Sequence, residues 1–320
     1  MFGDDYFLTI KINDVERLIT LAKMIDVNMT DSESDTLLHY AIKFDAFECM
    51  RVLLENKADA NKANKYGETP LFLAAKMGKE NYIKLLFRYG ANVNARNNLG
   101  EIPLHLAALN GNISAIKLLI DQKSNVEQTN NNLQGVNHYA IRSGNPEVVK
   151  YILDRFGNTV KAIDGAGNSL LHYACKQNNT EIVKMLLDRG LSVHTRNNRK
   201  ETPLFNAVRY SSMNVIYLLI KAGATFEIKN MLDENLLDIA KEERLDSYEY
   251  LDSLLYNHWY MDKKKRYPLH DAILTDNEQM VMRCLSSGFK PNKKDLFGKT
   301  AMDLAIEGKN ENIIKMLKRA

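Results

Sequence analysis

Residues Gly100–Gly111 read GEIPLHLAALNG, and this stretch decides how the whole chain is interpreted. It begins with a glycine turn, continues with a proline and a run of apolar residues, and ends in a second glycine. Proline suits the first position of a helix because its missing N–H would have no partner there. Glycine after a helix adopts the left-handed conformation at little cost. The stretch therefore predicts one short helix bounded by two turns.

The same pattern returns about every 33 residues along the chain. Its most regular member is the alanine two places after the histidine position, found at Ala41, Ala74, Ala107, Ala140, Ala174, Ala207, Ala240, Ala272 and Ala305. Ten residues before each alanine stands an acid or its amide: Asp31, Asn64, Asn97, Asn130, Asp164, Asn197, Asn230, Asp262 and Asp295. The steps are 33, 33, 33, 34, 33, 33, 32 and 33 residues. A fixed period of this length predicts stacked repeats rather than one compact core.

In its period and its Thr-Pro-Leu-His-x-Ala core the chain resembles the ankyrin-repeat family, most clearly at Gly67–Ala75 and at Gly100–Gly111. The resemblance implies an all-α solenoid of helix–turn–helix units with short β-hairpin fingers. It extends from end to end, so we expect a single ankyrin-repeat domain over residues 1–320. The expected repeats are 1–30 (a degenerate N-terminal cap), 31–63, 64–96, 97–129, 130–163, 164–196, 197–229, 230–261, 262–294 and 295–320.

Composition excludes several other classes. A hydrophobic content of 45% and a charged content of 26% are those of a folded protein. The net charge of +3 is too small to imply nucleic-acid binding by itself. The three cysteines show no Cys-x-x-Cys spacing, which disfavours a zinc site or a disulfide framework and favours a reducing compartment. With acid near the start and no long apolar run, we expect a cytoplasmic protein without a membrane segment.

The histidines are the strongest candidates for chemistry, and their spacing argues against it. Five of them occupy the same repeat position: His39, His105, His138, His172 and His270. The family resemblance implies that an imidazole here ties adjacent repeats together through backbone hydrogen bonds. The chain also has no Gly-rich phosphate loop and no Gly-x-Ser-x-Gly elbow. We therefore expect no catalytic residues, no metal site and no cofactor.

Repeat five, residues 130–163, departs from the pattern. Gly135 stands in place of Thr, Val136 in place of Pro and Asn137 in place of the core Leu. One extra residue lengthens the repeat near Gly157. A polar side chain at a core position costs about 1–3 kcal/mol when it lacks a partner. The sequence predicts a soft or bent joint in this repeat.

Binding residues are expected among the departures from the repeat consensus. The resemblance implies that a protein partner lies along the concave surface formed by the fingers and the exposed sides of the first helices, here called the inner face. Apolar and aromatic departures at inner-face positions are Phe44, Tyr66, Met77, Leu99, Leu109, Tyr210, Met231, Leu232, Leu274, Leu296 and Phe297. Repeats six and seven add the cations Lys176, Arg196, Arg199 and Arg209. A line of such residues predicts a protein partner with apolar anchors and some acidic character.

The irregular stretch after residue 255 adds a second candidate. Trp259, the single tryptophan, precedes a basic run that includes Lys263, Lys264 and Arg266. An exposed aromatic residue beside cations is typical of an interface, whereas the alternative is that Trp259 only fills the place of the missing turn. The basic run is either a solvated finger tip or a nuclear-targeting or nucleic-acid patch.

Three hypotheses for function remain open from the sequence. The first is a non-catalytic cytoplasmic scaffold or adaptor that binds another protein. The second is an effector of a pathogen or symbiont that binds and diverts a host protein in the host cytosol. The third is a nucleic-acid binder that uses residues 263–266, for which the nucleus is also an open location.

Overall fold

A computed structural model describes residues 4–157, 161–210, 213–225, 228–242, 268–274, 277–286, 288–294 and 299–319. In this part of the chain, the first helix of a regular repeat begins near the Pro-Leu position, and a second helix follows after a tight turn in every repeat except the eighth, where the described residues include the first helix alone. The first helices are α1 (Asp4–Lys11), α3 (Leu37–Lys43), α5 (Pro70–Met77), α7 (Pro103–Leu109), α9 (Val136–Ser143), α11 (Leu170–Lys176), α13 (Pro203–Arg209), α15 (Leu236–Glu242), α16 (Pro268–Leu274) and α18 (Ala301–Glu307).

The second helices carry an apolar stripe that packs on the first helices. They are α2 (Val15–Leu21), α4 (Phe47–Glu55), α6 (Glu80–Arg88), α8 (Ile113–Asp121), α10 (Pro146–Arg155), α12 (Thr180–Asp188), α14 (Met213–Lys221), α17 (Glu278–Ser286) and α19 (Glu311–Lys318). Each first helix from α3 to α11 contacts its own second helix and the next first helix. This nearest-neighbour packing defines the all-α ankyrin solenoid that the sequence predicts.

The chain divides into two compact units. The first contains Met1–Thr225 and Lys229–Asp233, and the second contains Phe226–Ile228 and Glu234–Ala320. Helices α1 to α14 belong to the first unit. The second has its own core around Leu269, Val281 and Leu304. That one domain spans residues 1–320 stays a prediction.

The repeat alanines are buried in both units. All nine expose 3% of their surface or less. A methyl side chain at this point lets neighbouring first helices approach closely, and a larger one would overpack the site. The register predicted from the alanines is confirmed.

The Asp or Asn ten residues before the alanine closes the finger turn. The Oδ1 of Asn97 accepts hydrogen bonds from the backbone N–H groups of Leu99 and Glu101, at 3.0 and 2.9 Å. Asp164 binds Ala166 and Asn168 in the same way. A short side-chain acceptor replaces a backbone carbonyl in such turns. The fingers are therefore turns, and among the described residues the β-pairing is limited to isolated bridges, such as Thr30 with Thr36 and Ile163 with Ser169.

The finger turn also requires one left-handed residue, seven places before the alanine. Gly100 has φ +76° there, and a Cβ added to it would clash with Oδ1 of Asn131. Repeat five places Leu133 at this position, with φ 59°. A left-handed conformation costs an L-residue about 1–2 kcal/mol. Leu133 is therefore a strained residue at the tip of an exposed finger.

The histidines form a ladder between repeats. In His172, Nδ1 accepts from the backbone N–H of Ser169 at 3.1 Å, so the ring proton of the neutral imidazole lies on Nε2. Nε2 then donates to the carbonyl of Glu201 at 3.0 Å, one repeat further on. His39 binds the carbonyl of Glu68 in the same way. The predicted structural role of these histidines is confirmed.

The ladder changes around repeat five. His105 donates to the carbonyl of Gln128 rather than to that of Gln134, which corresponds to Glu201 in the register. Nε2 of His138 is buried and has no protein partner within the described ranges, although its Nδ1 accepts from the backbone N–H of Gly135. The expectation that all five histidines tie their repeat to the next is wrong for His138, which has no such bond, and for His105, whose acceptor Gln128 lies in its own repeat.

Candidate functional site

Most of the predicted apolar residues of the inner face are exposed. Leu99 and Leu232 lie on finger turns and expose 63% and 71% of their surface. The other exposed members of the set are Tyr66, Met77, Tyr210, Met231 and, marginally, Leu274. Packing of the repeats leaves more than a third of the surface of each of these residues uncovered, and that surface is available to a partner.

Two of the residues predicted for the inner face are less exposed than the others. Phe44 is half-buried, with its ring centroid 5.7 Å from that of Tyr40 and with the ammonium groups of Lys11 and Lys43 over its face. Leu109 is also half-buried, at the end of α7. Six further predicted residues lie outside the described residues: Trp259, Lys263, Lys264, Arg266, Leu296 and Phe297.

The predicted cations of repeats six and seven converge on one pocket. A surface pocket of about 360 Å³ lies between helices α11 and α13 and the two fingers that precede them. Its lining includes Lys176, Arg199, Arg209 and Tyr210, all of which the sequence predicts. Arg196, the fourth predicted cation, is exposed but does not line the pocket. We call this site the basic pocket.

Arg209 has a partner within the chain. Its Nη2 lies 2.8 Å from Oε1 of Glu201, and its Nη1 lies 3.5 Å from Oε2. Burial raises the pKa of Glu201, but the hydrogen bond and charge of Arg209 outweigh burial and hold that pKa below its ordinary value. The pair therefore contributes a fixed, nearly neutral wall to the pocket.

Lys176 and Arg199 carry the remaining positive charge. The Nζ atom of Lys176 lies 5.6 Å from the centroid of the Tyr210 ring, within the range of a cation–π contact. Both cations are exposed, and no carboxylate of the described residues lies within 4.0 Å of their side-chain nitrogens. The pocket thus combines two available cations with an exposed aromatic ring.

Hydrogen bonds between repeats hold the floor of the pocket. Nδ2 of Asn206 donates to the carbonyl of His172 at 3.1 Å, which ties α13 to α11. Nδ2 of Asn197 donates to Oδ1 of Asn168 at 2.8 Å, which ties the two fingers together. Burial lowers the pKa of His172, so this imidazole stays neutral and keeps its place in the ladder. Such a floor preorganises the pocket for binding.

Hydrogen bonds of the same kind also connect repeats four, five and six. The hydroxyl of Tyr173 donates to Asp164 at 2.6 Å and accepts from Gln134 at 2.6 Å. In the preceding repeat, the hydroxyl of Tyr139 donates to Glu101 at 2.6 Å. Buried polar groups with several satisfied hydrogen bonds specify one arrangement of neighbouring elements. The inner face is therefore built on a polar layer that fixes the distances between its fingers.

Sequence reasoning missed two relevant residues. Glu201 reads as an ordinary finger residue, and its burial beside Arg209 was not foreseen. The signal was present, because Glu201 and Arg209 are six residues before and two residues after Ala207, both facing the inner side. Leu133 was also missed, although it exposes 56% of its surface on a finger.

No group of three or more histidine, cysteine, aspartate or glutamate side chains in the described ranges could hold a metal ion. Cys49, Cys175 and Cys284 are buried, and no disulfide joins them. Within the same ranges, no helix has both the length and the apolar character required to cross a membrane.

Comparison with known families agrees with the fold. A family model described as ankyrin repeats (3 copies) matches residues 8–97, 89–164 and 138–230. A second, described as ankyrin repeats (many copies), matches residues 269–317. These matches span well over half of the sequence. The chain belongs to the ankyrin-repeat family.

One curated relative is Alpha-latrotoxin-Lg1a of Latrodectus geometricus. A stretch of 66 residues is 36% identical to it, which covers 20% of this chain and 5% of that protein. The likeness thus concerns about two repeats. Ankyrin repeats are in general protein–protein interaction modules, and proteins built from them are typically non-catalytic scaffolds.

Proposed function

We propose that this chain is a non-catalytic adaptor that holds a protein partner along the inner face of its repeats. The observation that carries the proposal is the line of exposed finger residues Tyr66, Leu99, Met231 and Leu232. Interfaces are enriched in aromatic residues and methionine, and a few such anchors supply most of the binding energy. The cytoplasm is the proposed location, which the lack of a disulfide among the three cysteines supports.

The basic pocket makes the two ends of the proposed binding surface chemically different. Lys176 and Arg199 give one end of the inner face of the first unit an available positive charge, whereas Tyr66 and Leu99 are apolar anchors nearer the other end. Complementary charge raises association rates and selects among partners more than it adds affinity. The proposed partner therefore has apolar anchors for the fingers and an acidic segment for repeats six and seven.

Affinity capture with a matched control tests the proposal. The wild-type chain, the double variant Leu99→Ser/Leu232→Ser and the control Tyr217→Ser would be compared on extracts of the source cells by quantitative mass spectrometry. Tyr217 is as exposed as the finger residues but lies on α14, a second helix outside the inner face. A stoichiometric partner retained by the control and lost from the finger variant supports the proposal. A partner lost only from Tyr217→Ser contradicts it.

A further inference from the structure

The charged side chains of the basic pocket favour the binding of a negatively charged group. Of its three cations, Arg209 is already compensated by Glu201 at 2.8 Å. Lys176 and Arg199 therefore set the net charge of the pocket side chains. In a partly enclosed site, cations interact with an anion more strongly than they do on an open surface.

The pocket also has an apolar wall and a fitting size. The ring of Tyr210 is 43% exposed and lies beside Lys176. A volume of about 360 Å³ accommodates one or two side chains and not a folded element. A bound segment would place a charged group between Lys176 and Arg199 and a neighbouring apolar group against Tyr210.

We propose that the basic pocket is a recognition site for an aspartate or glutamate side chain in an extended segment of the protein partner, followed or preceded by an apolar residue. The inference rests on the proposed function and names the chemistry of one subsite. A carboxylate fits better than a phosphate, because the Glu201 carboxylate forms part of the lining and repels a dianion more than a single negative charge.

Peptide selection followed by a mutational cycle tests the assignment. A phage-displayed library of random dodecamers would be selected on the immobilised full chain, and one enriched peptide would be made with a fluorescein label. Fluorescence anisotropy would then measure its affinity for the wild type and for the variants Lys176→Glu and Arg199→Glu. Enriched peptides should share an Asp or Glu beside an apolar residue, and each charge reversal should weaken binding at least tenfold.

The matched control is Arg196→Glu, three residues before Arg199. Arg196 is exposed and carries the same charge but does not line the pocket, so its reversal should change affinity less than twofold. Thermal unfolding of each variant shows that the fold is intact. Changing the shared acid of the peptide to its amide should weaken binding to the wild type and should have no further effect on Arg199→Glu.

Four results would overturn the pocket assignment. These are enriched peptides without a shared acid, no enriched peptide at all, an equal loss from the peptide amide in wild type and Arg199→Glu, and tighter binding of a phosphoserine peptide than of the acidic one. Peptides that depend on Leu99 and Leu232 but not on Arg199 would also overturn it, while leaving the proposed function intact.

Discussion

At the wall of the basic pocket, Nη2 of Arg209 donates to Oε1 of Glu201 at 2.8 Å, and Nη1 donates to Oε2 at 3.5 Å. The carboxylate is buried, whereas a quarter of the guanidinium side chain remains exposed. An arginine on the partner-facing side of the repeat thus has a structural partner of its own. Arg209 and Arg199 therefore differ in role although both line the same pocket.

The first prediction concerns the stability that this pair provides. Arg209→Ala leaves the Glu201 carboxylate buried without its cation, which should lower the free energy of unfolding by about 2–3 kcal/mol. Arg199→Ala removes an exposed cation and should change it by less than about 0.5 kcal/mol. Urea unfolding of the two variants against wild type measures the difference.

The stabilisation that the Glu201–Arg209 pair provides depends on pH. The pKa of Glu201 is lowered in the folded chain, so the stabilisation is fully present above the pKa of an unfolded glutamate, about 4.3, and is lost as the pH falls through the folded value. The double variant Glu201→Gln/Arg209→Ala should recover part of the loss at neutral pH. An equal cost for Arg199→Ala and Arg209→Ala would show that the pair does not stabilise the fold.

The second prediction compares two histidines of the ladder. His172 donates from Nε2 to the carbonyl of Glu201, whereas Nε2 of His138 has no such acceptor in the described part of the chain. Replacement by alanine should therefore cost about 0.5–1.5 kcal/mol more at His172 than at His138, the contribution of one hydrogen bond. Urea unfolding of both variants measures this difference, and equal costs would contradict the break in the ladder.

The third prediction concerns the joint at repeat five. Nε2 of His138 is buried without a partner in the described residues, whereas Nε2 of His105 is hydrogen-bonded, so helices α9 and α10 should open more often than α7 and α8. Hydrogen exchange followed by mass spectrometry should show faster exchange in α9 and α10. Peptides from α5 and α6 provide the internal reference. If hydrogen exchange in repeat five is no faster than in repeat four, the prediction of a soft joint is wrong.

The sequence predicted the fold because ankyrin repeats encode it redundantly. Every repeat alanine is buried, and the Asp or Asn ten residues earlier closes its turn wherever the structure describes both. The side-chain contacts of the site could not be predicted so well. The repeat pattern predicts on which face of the repeat a residue lies, but not which side chains it contacts. The register places both Arg199 and Arg209 on the inner face, and only the contact with Glu201 shows that Arg209 is paired within the chain. His138 likewise shares the ladder position, and whether an acceptor lies within reach of its Nε2 depends on the three-dimensional structure.

The fourth prediction concerns the strained finger residue Leu133. Leu133→Gly should raise the free energy of unfolding by about 0.5–1 kcal/mol, since glycine adopts φ 59° without the steric cost, although it gains entropy in the unfolded chain. Leu133→Ala is the matched control, because alanine removes the exposed side chain but keeps the strain. Thermal unfolding should separate the two variants, and equal midpoints would mean that the backbone is not strained.

The fifth prediction is a loss of stability in mild acid. Burial lowers the pKa of His105 and of His138 to about 4, so their neutral forms are favoured in the folded chain. Histidine in an unfolded chain has a pKa of about 6.5, so the unfolded state takes up protons first as the pH falls. The stabilisation is thus complete above pH of about 6.5 and is lost as the pH falls towards 4. Urea unfolding should show a nearly constant free energy between pH of about 8 and 7, then a decline of at most about 3 kcal/mol for each such histidine.

A variant identifies the groups responsible for this decline. His105→Gln removes one titrating group, so the slope of stability against pH should become shallower between pH of about 6 and 4, even though the variant is less stable at neutral pH. Proton NMR offers an independent measurement, in which the Cε1–H resonance of His105 should not move between pH of about 8 and 5.5. A resonance that titrates near 6.5, or a slope that His105→Gln leaves unchanged, would show that the buried ladder does not resist protonation. The loss of stability in acid would then come from carboxylate pairs such as Glu201 with Arg209, whose contribution disappears at lower pH.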